Sequence, residues 1–419
     1  MHPNALLDLS SDLLRAVLRL DQPADGVVSA FFRQHRALGT RERHTLAETA
    51  YAVLRQRLVL QHLAQSGNGV LERRLALLAW QGSDTFLRGA LNPQEQQWLA
   101  EVAAIDRGSL PDKLRHNLPD WLAGALQTQL GEEFWSLVQA LEAPAPLDLR
   151  VNALKARRED VQRVLAEAGI GAEPTPFSPW GLRVQGKPAI NKMDVFLRGD
   201  VEVQDEGSQL LALLTDAKRG EMVVDFCAGA GGKTLALGAS MRNTGRLYAF
   251  DVSGHRLDAL KPRLARSGLS NVHPAQIAHE RDERIKRLAG KIDRVLIDAP
   301  CSGLGTLRRN PDLKWRQSPK SVEELQAKQT AILGSAARLL KPGGRLVYAT
   351  CSLLQAENEA VVSAFNAERS GDFSTLPVAE VLAGLKLERA AELVSAEFLR
   401  LWPHRHQTDG FFAAVWQRR

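Results

Sequence analysis

The chain has 419 residues, more than one ordinary domain holds, so two or three domains are expected. It is 44% hydrophobic and 24% charged, enough for proper cores, and its net charge of +6 suits a polyanionic partner without requiring one. Three cysteines are too few and too odd in number for a disulfide framework, which excludes a stapled secreted scaffold and points to a reducing compartment.

The N-terminus, Met1–Asp8, lacks the basic region of a secretory signal, and no apolar run approaches membrane-spanning length. The expected location is therefore the cytoplasm. Up to about residue 140, apolar residues recur at three- and four-residue steps (Leu14, Val17, Leu18; Val28, Phe31, Phe32; Leu46, Ala50, Val53, Leu54), which predicts a helical bundle over 1–142. Thr40 is the predicted N-cap of the third helix. Arg33, His35, Arg36, Arg41, Arg43, Arg55 and Arg57 crowd the second and third helices, as a solvated face or as a surface for RNA. Glu142-Ala-Pro-Ala-Pro146 is the predicted joint. Next come an alternating strand over 147–152, a helix over 157–168 and short strand-like pieces, predicting a small α+β module over 143–204. From 205 to 419, strands and helices alternate as in a doubly wound parallel sheet, with strands predicted at 222–226, 246–250, 293–297 and 344–349. A closing pair is expected around 399–402 and 410–416.

All three cysteines lie where predicted strands end. Met222-Val-Val-Asp225 runs into Phe-Cys227-Ala-Gly229-Ala-Gly231-Gly232-Lys233-Thr234; Arg294-Val-Leu-Ile-Asp298 runs into Ala-Pro-Cys301-Ser302; Arg345-Leu-Val-Tyr-Ala-Thr leads to Cys351-Ser352. Side chains just past the carboxyl ends of strands line the ligand crevice of an open α/β sheet. The glycine turn suits neither of two nucleotide classes. A P-loop would place its first glycine on Cys227, and a dinucleotide fingerprint needs a glycine where Thr234 stands. A third ligand, S-adenosylmethionine, is zwitterionic with a positive sulfonium, and asks for acids beside a closely approaching backbone. Asp225 ends the first strand and Asp251 the second, where a carboxylate can accept both ribose hydroxyls.

On these stretches, together with Val203-Gln-Asp-Glu-Gly-Ser-Gln209 and Asp409-Gly-Phe-Phe412, the chain resembles the NOP2/Sun family of RNA cytosine-5 methyltransferases. The resemblance covers most of the chain and is strongest from about 203 to 360; the order of the three parts is similar to the bacterial branch that methylates small-subunit (16S) ribosomal RNA. It implies a NusB-like, RNA-binding bundle at 1–142, an RRM-like module at 143–204 and a Rossmann-like class I methyltransferase domain at 205–419. It also implies that Cys227, Ala228, Gly229, Ala230, Gly231, Gly232, Lys233, Asp251 and Asp298 hold S-adenosylmethionine, and that RNA is the partner. Two positions depart from the family. Ala230 stands where the bacterial branch commonly has proline, and no aspartate is in register to meet the adenine, leaving His279, Glu280 or Asp282 to do so.

Carbon 5 of cytosine is a poor nucleophile until a thiolate adds at carbon 6. By resemblance Cys351 is that thiol, Cys301 assists release, and Asp298 binds the N3 and N4 edge of the base. An ordinary thiol is only a few per cent thiolate at pH 7, so a cation such as Lys233 is needed nearby. In DNA cytosine-5 methyltransferases the Pro-Cys thiol attacks instead, which here would make Cys301 essential and Cys351 idle. The stretch after Cys301, reaching Arg308, Arg309, Lys314 and Trp315, suits phosphates and a stacked base, or else a loop with Trp315 tucked into a core. No His/Cys grouping has metal-ligand spacing. A monomer meets every requirement, and the competing expectations are a transfer-RNA methyltransferase or a non-catalytic ribosome-assembly factor.

Overall fold

The computed structural model describes residues 1–419. It divides into two compact units, Met1–Pro144 with Thr306–Pro319, and Ala145–Gly305 with Lys320–Arg419. No helix in it is long and apolar enough to cross a membrane.

The first unit is helical throughout. Its helices include Pro3–Val17, Ala24–Gln34, Thr40–Arg55, Leu71–Leu78 and Pro93–Ala103, whose apolar faces meet in one core around Leu7, Leu14, Leu46, Leu54 and Leu75. Thr40 is the first helical residue rather than the cap: Gly39 precedes the helix and its N–H donates to the Glu42 carboxylate at 2.8 Å.

Thr306–Pro319, expected within the 205–419 domain, belongs to this helical unit. The reason lies at the end of the helix Thr40–Arg55, whose last carbonyls have no partner along the helix. Trp315 Nε1 donates to the Leu54 carbonyl at 2.7 Å and Lys314 Nζ to that of Arg55 at 2.8 Å. Asp312 accepts the Ala24 N–H at 3.2 Å, and the Arg55 guanidinium donates to the Arg308 carbonyl at 3.2 Å. Lys314 and Trp315 therefore serve packing, not a base or a phosphate. The basic cluster splits accordingly: Arg55 is buried and Arg57 lies over the Trp315 ring, while Arg33, Arg36 and Arg41 stay exposed.

Burying the Lys314 ammonium has a measurable cost. Burial, then the Arg55 charge, push its pKa down to about 7. Between that value and the ordinary lysine pKa the unfolded chain binds one proton more than the folded one, so stability rises with pH across this window. We expect Lys314→Met to remove on the order of 1 kcal/mol per pH unit of that rise. Urea unfolding of both proteins at pH 7 and pH 9 measures it; parallel curves would refute the buried charge.

The second unit contains two sheets. Strands β1 (Leu147–Val151), β2 (Ala172–Pro174), β3 (Gly181–Val184) and β4 (Val201–Val203) form an antiparallel sheet in the order β2-β3-β1-β4, packed against the helix Arg158–Glu167 through Val161 and Leu165. The large sheet is built on β5 (Met222–Asp225), β6 (Arg246–Asp251), β7 (Val272–Gln276), β8 (Ile292–Asp298) and β9 (Leu340–Thr350), all parallel, in the order β7-β6-β5-β8-β9. β13 (Phe411–Arg418) pairs antiparallel with β9, and β10 (Phe373–Leu376), β11 (Val394–Ser395) and β12 (Phe398–Leu401) complete that side. The doubly wound parallel sheet expected over 205–419 is thus a mixed one. β7 escaped the sequence reading because Pro274 interrupts its pattern; as an edge strand it tolerates a residue with no N–H to give. β9 begins ahead of the strand predicted at 344–349, and Lys341–Gly344 sits inside it as an irregularity: pairing steps from Ile292↔Leu340 to Arg294↔Arg345. Chain order reverses between β5 and β8, so the turn after β5 opens at the switch point, where such sheets bind ligands.

Candidate active site

The glycine turn is held from both sides. The Gly229 N–H donates to Asp251 Oδ2 at 2.8 Å, and the other oxygen of Asp251 accepts the Ser253 N–H at 2.7 Å. Each oxygen keeps a lone pair for a further donor. Behind the turn, Arg263 donates to the Ala230 carbonyl at 2.7 Å and pairs with Glu202 of the small sheet at 3.0 Å. Arg150, also of the small sheet and fully buried, donates to Gln204 at 2.6 Å and to the Gly232 carbonyl at 3.4 Å; burial pulls its pKa down to about 10. The small sheet thus braces the turn, a role for Arg150 and Glu202 that no local pattern announces.

Two glycines in the turn are required by geometry. Gly231 has φ +81° and a Cβ there would stand 2.1 Å from Leu260, whereas Gly229 has φ +56° and faces open space but for Arg256 at 4.0 Å. A left-handed conformation costs a side-chain-bearing residue about 1–2 kcal/mol before any clash. We expect Gly231→Ala to weaken S-adenosylmethionine binding at least ~10-fold by calorimetric titration; unchanged affinity would show that the turn does not shape the site.

Asp225 Oδ2 accepts the Thr234 hydroxyl at 2.7 Å while its buried Oδ1 has no partner. Burial, opposed by that hydrogen bond and aided by Asp298, pushes its carboxyl up to about 7. Cys227 is half-buried against the apolar layer, and burial raises its thiol well above the usual range, which suits packing and not nucleophilic attack. Of the candidates for adenine, Asp282 is occupied as a helix cap, accepting the Ala278 and Arg284 N–H groups at 3.0 and 2.9 Å.

At the neighbouring strand ends, β8 and β9 run in register with Asp298 opposite Ala349. Cys301 and Cys351 follow, half-buried, with their sulfurs 3.3 Å apart. The Cys301 thiol is held well above its ordinary pKa by the hydrogen bond to Cys351, by burial and by the charges of Cys351 and Glu357. Lys233 Nζ lies 2.7 Å from Asp298 Oδ2 and 5.8 Å from the centre of the Phe411 ring. Burial alone would lower the lysine, but the Asp298 carboxylate, with help from Cys351, more than offsets it and keeps the ammonium charged. The loop between is close-packed: Gly305 N–H donates to the Cys351 carbonyl and Gly410 N–H to that of Gly305, both at 2.8 Å. A Cβ on Gly305 would meet the Gly410 carbonyl at 2.1 Å. That approach places Phe411, next to Gly410, on the Lys233 side.

Beneath the cysteines lies a buried network absent from the sequence reading. Glu357 accepts the Ser302 N–H at 2.8 Å and hydroxyl at 2.5 Å, the Ser352 hydroxyl, and the Gln329 amide at 3.0 Å. The repeated Cys-Ser was the available signal; its partner, in a short turn after β9, was not marked by any.

Residues 212–417 match the family model described as 16S rRNA methyltransferase RsmB/F, and residues 118–191 match the ferredoxin-like domain of RsmF/B-like methyltransferases. The chain is 36% identical over 302 residues to a probable ribosomal RNA small subunit methyltransferase B of Synechocystis, covering 72% of this chain and 66% of that protein. It is 31% identical over 333 residues to a probable ribosomal RNA small subunit methyltransferase B of Bacillus subtilis, covering 79% of this chain and 73% of that one. The match thus spans about two thirds of the length of such relatives. Among solved structures, a methyltransferase homolog protein from Pyrococcus horikoshii superposes with a TM-score of 0.63 at 31% identity, covering 75% of this chain and 100% of that one.

Proposed function

The chain belongs to the 16S rRNA methyltransferase RsmB/F family, and from that premise we propose that it is an S-adenosylmethionine-dependent RNA (cytosine-5)-methyltransferase acting on 16S rRNA. The observation that carries this reading is the pair of thiols 3.3 Å apart at adjacent strand ends, with the Lys233–Asp298 ion pair on the same ends. Methylation of an oxygen or an exocyclic nitrogen needs no thiol.

The turn from Cys227 to Lys233 would hold S-adenosylmethionine, with Asp251 at its ribose, and the bound cofactor would supply an electrophilic methyl group for carbon 5. Asp298 grips the N3 and N4 edge of a cytosine flipped from its stack. The Cys351 thiolate, its charge favoured by Lys233, adds to carbon 6 and makes carbon 5 nucleophilic. Once Cys351 is a thioether, its hydrogen bond and its negative charge no longer hold up the Cys301 thiol, and the first of these is the largest cause of the raised pKa. Cys301 can then lose its proton to solvent and, as a thiolate, take the proton from carbon 5. The carbon 6–sulfur bond breaks, returning Cys351 as a thiolate beside the reprotonated Cys301. The exposed Arg33, Arg36 and Arg41 of the helical unit supply phosphate contacts that position the RNA without reading its sequence.

The test is transfer of labelled methyl from S-adenosylmethionine to unmodified 16S rRNA, with bisulfite sequencing to locate the product. Label at carbon 5 of a cytosine is expected. Label on transfer RNA alone would move the substrate, and none on any RNA would favour a binding factor.

A further inference from the structure

We propose that Glu357 is a positioning residue for methyl transfer: its buried carboxylate ties down the serine that follows each cysteine and thereby sets how the two sulfurs face each other. This rests on the roles given above to Cys351 and Cys301.

Glu357 is 0% exposed and all its recorded carboxylate partners are donors. One oxygen accepts the Ser302 N–H and the Gln329 amide; the other accepts the hydroxyls of Ser302 and Ser352. Four donors thus converge on one carboxylate. The two serine hydroxyls stand 3.2 Å apart. Both residues that follow the cysteines are therefore held by a single oxygen. The cysteine sulfurs come to rest side by side at 3.3 Å. The clamp is itself anchored: Gln329 also donates to the Pro300 carbonyl at 3.0 Å, and Tyr348 donates its hydroxyl to the Glu357 carbonyl at 2.6 Å.

The strands need none of this for their pairing, which continues through Asp298↔Ala349 by backbone bonds alone. What the carboxylate adds is the geometry of the two loops beyond the last paired residues. A displacement of about 1 Å at a reacting group can cost about 100-fold in rate.

The experiment compares Glu357→Gln and Glu357→Ala with wild type in methyl transfer, cofactor affinity and thermal unfolding, and repeats both in a Cys301→Ala background to read adduct yield. Glu357→Ala is expected to lower kcat about 100-fold, with KM for RNA and Kd for S-adenosylmethionine within about twofold. Glu357→Gln, which keeps the shape and two acceptor bonds, should recover part of the loss, and adduct yield should fall in step with kcat. Turnover within twofold of wild type would overturn the proposal, as would a loss matched by equal loss of cofactor binding. Should Glu357→Ala fail to fold, Glu357→Gln and Ser352→Ala are judged by the same measurements. Cys351→Ala assayed alongside separates the two ideas. If it stays active, the role of Cys351 fails; if it is dead while the Glu357 variants turn over normally, only the role of Glu357 fails.

Discussion

Cys351→Ala abolishes methyl transfer, while Cys301→Ala accumulates a covalent protein–RNA species that survives denaturing electrophoresis: this opposite pair of phenotypes is the largest effect expected. Removing the attacking thiol should lower turnover by at least ~10⁴-fold, about 5.4 kcal/mol, because the one other thiol at these strand ends, Cys301, is given the release step rather than attack on the ring. Removing Cys301 leaves attack and transfer intact and deprives the adduct of the group that takes the carbon-5 proton. The assignment of Cys351 as the attacking thiol is what the resemblance to the family implies. The hydrogen bond to Cys351, then burial and the charges of Cys351 and Glu357, hold the Cys301 thiol well above its ordinary range, so it becomes a base only after Cys351 has turned into a thioether. If the Pro-Cys thiol attacked instead, the phenotypes would exchange. An adduct in Cys351→Ala and none in Cys301→Ala would reverse the roles.

The second large effect concerns the ion pair. Lys233→Met is expected to reduce kcat about 10²- to 10³-fold, the usual consequence of removing one preorganised charge donor. The buried ammonium lies 2.7 Å from Asp298, whose side chain is 31% exposed, so substitution leaves a carboxylate unpaired beside the position where Cys351 must carry its own negative charge. Asp298→Asn should also be slow, through loss of the grip on the base. Because the two groups are one unit, the double substitution should cost less than the product of the singles. Single-turnover kinetics of the four proteins measure it; strictly multiplicative losses would show that the pair does not work as a pair.

Much of the large sheet was legible in the chain because its signals are local. An apolar run ending in Asp225, Asp298 or Thr350 announces a strand and its carboxyl end within a few residues, and a glycine turn announces a close backbone approach. The glycines themselves were readable in kind but not in reason: that Gly231 must be bare because Leu260 lies behind it, and Gly305 because Gly410 does, depends on residues 29 and 105 positions away. The helical periodicity of the first 140 residues was likewise readable, but not that Lys314 and Trp315 would complete the end of the helix Thr40–Arg55. A basic and aromatic cluster after a catalytic motif reads as a surface for RNA, since composition cannot tell which orphan carbonyls lie within reach.

By itself the sequence determined where these strands end, which side chains stand there and which classes of ligand the turn excludes, because each of these is written in a window of ten residues or so. Only the folded chain decided that the two sulfurs lie 3.3 Å apart, that Lys233 is spent on Asp298, and that Glu357 gathers both serines. The physical reason is that a hydrogen bond or an ion pair between distant residues leaves no periodic mark on either one. It exists only once backbone pairing of β8 and β9 has brought their ends together, and that pairing is indifferent to the side chains that profit from it.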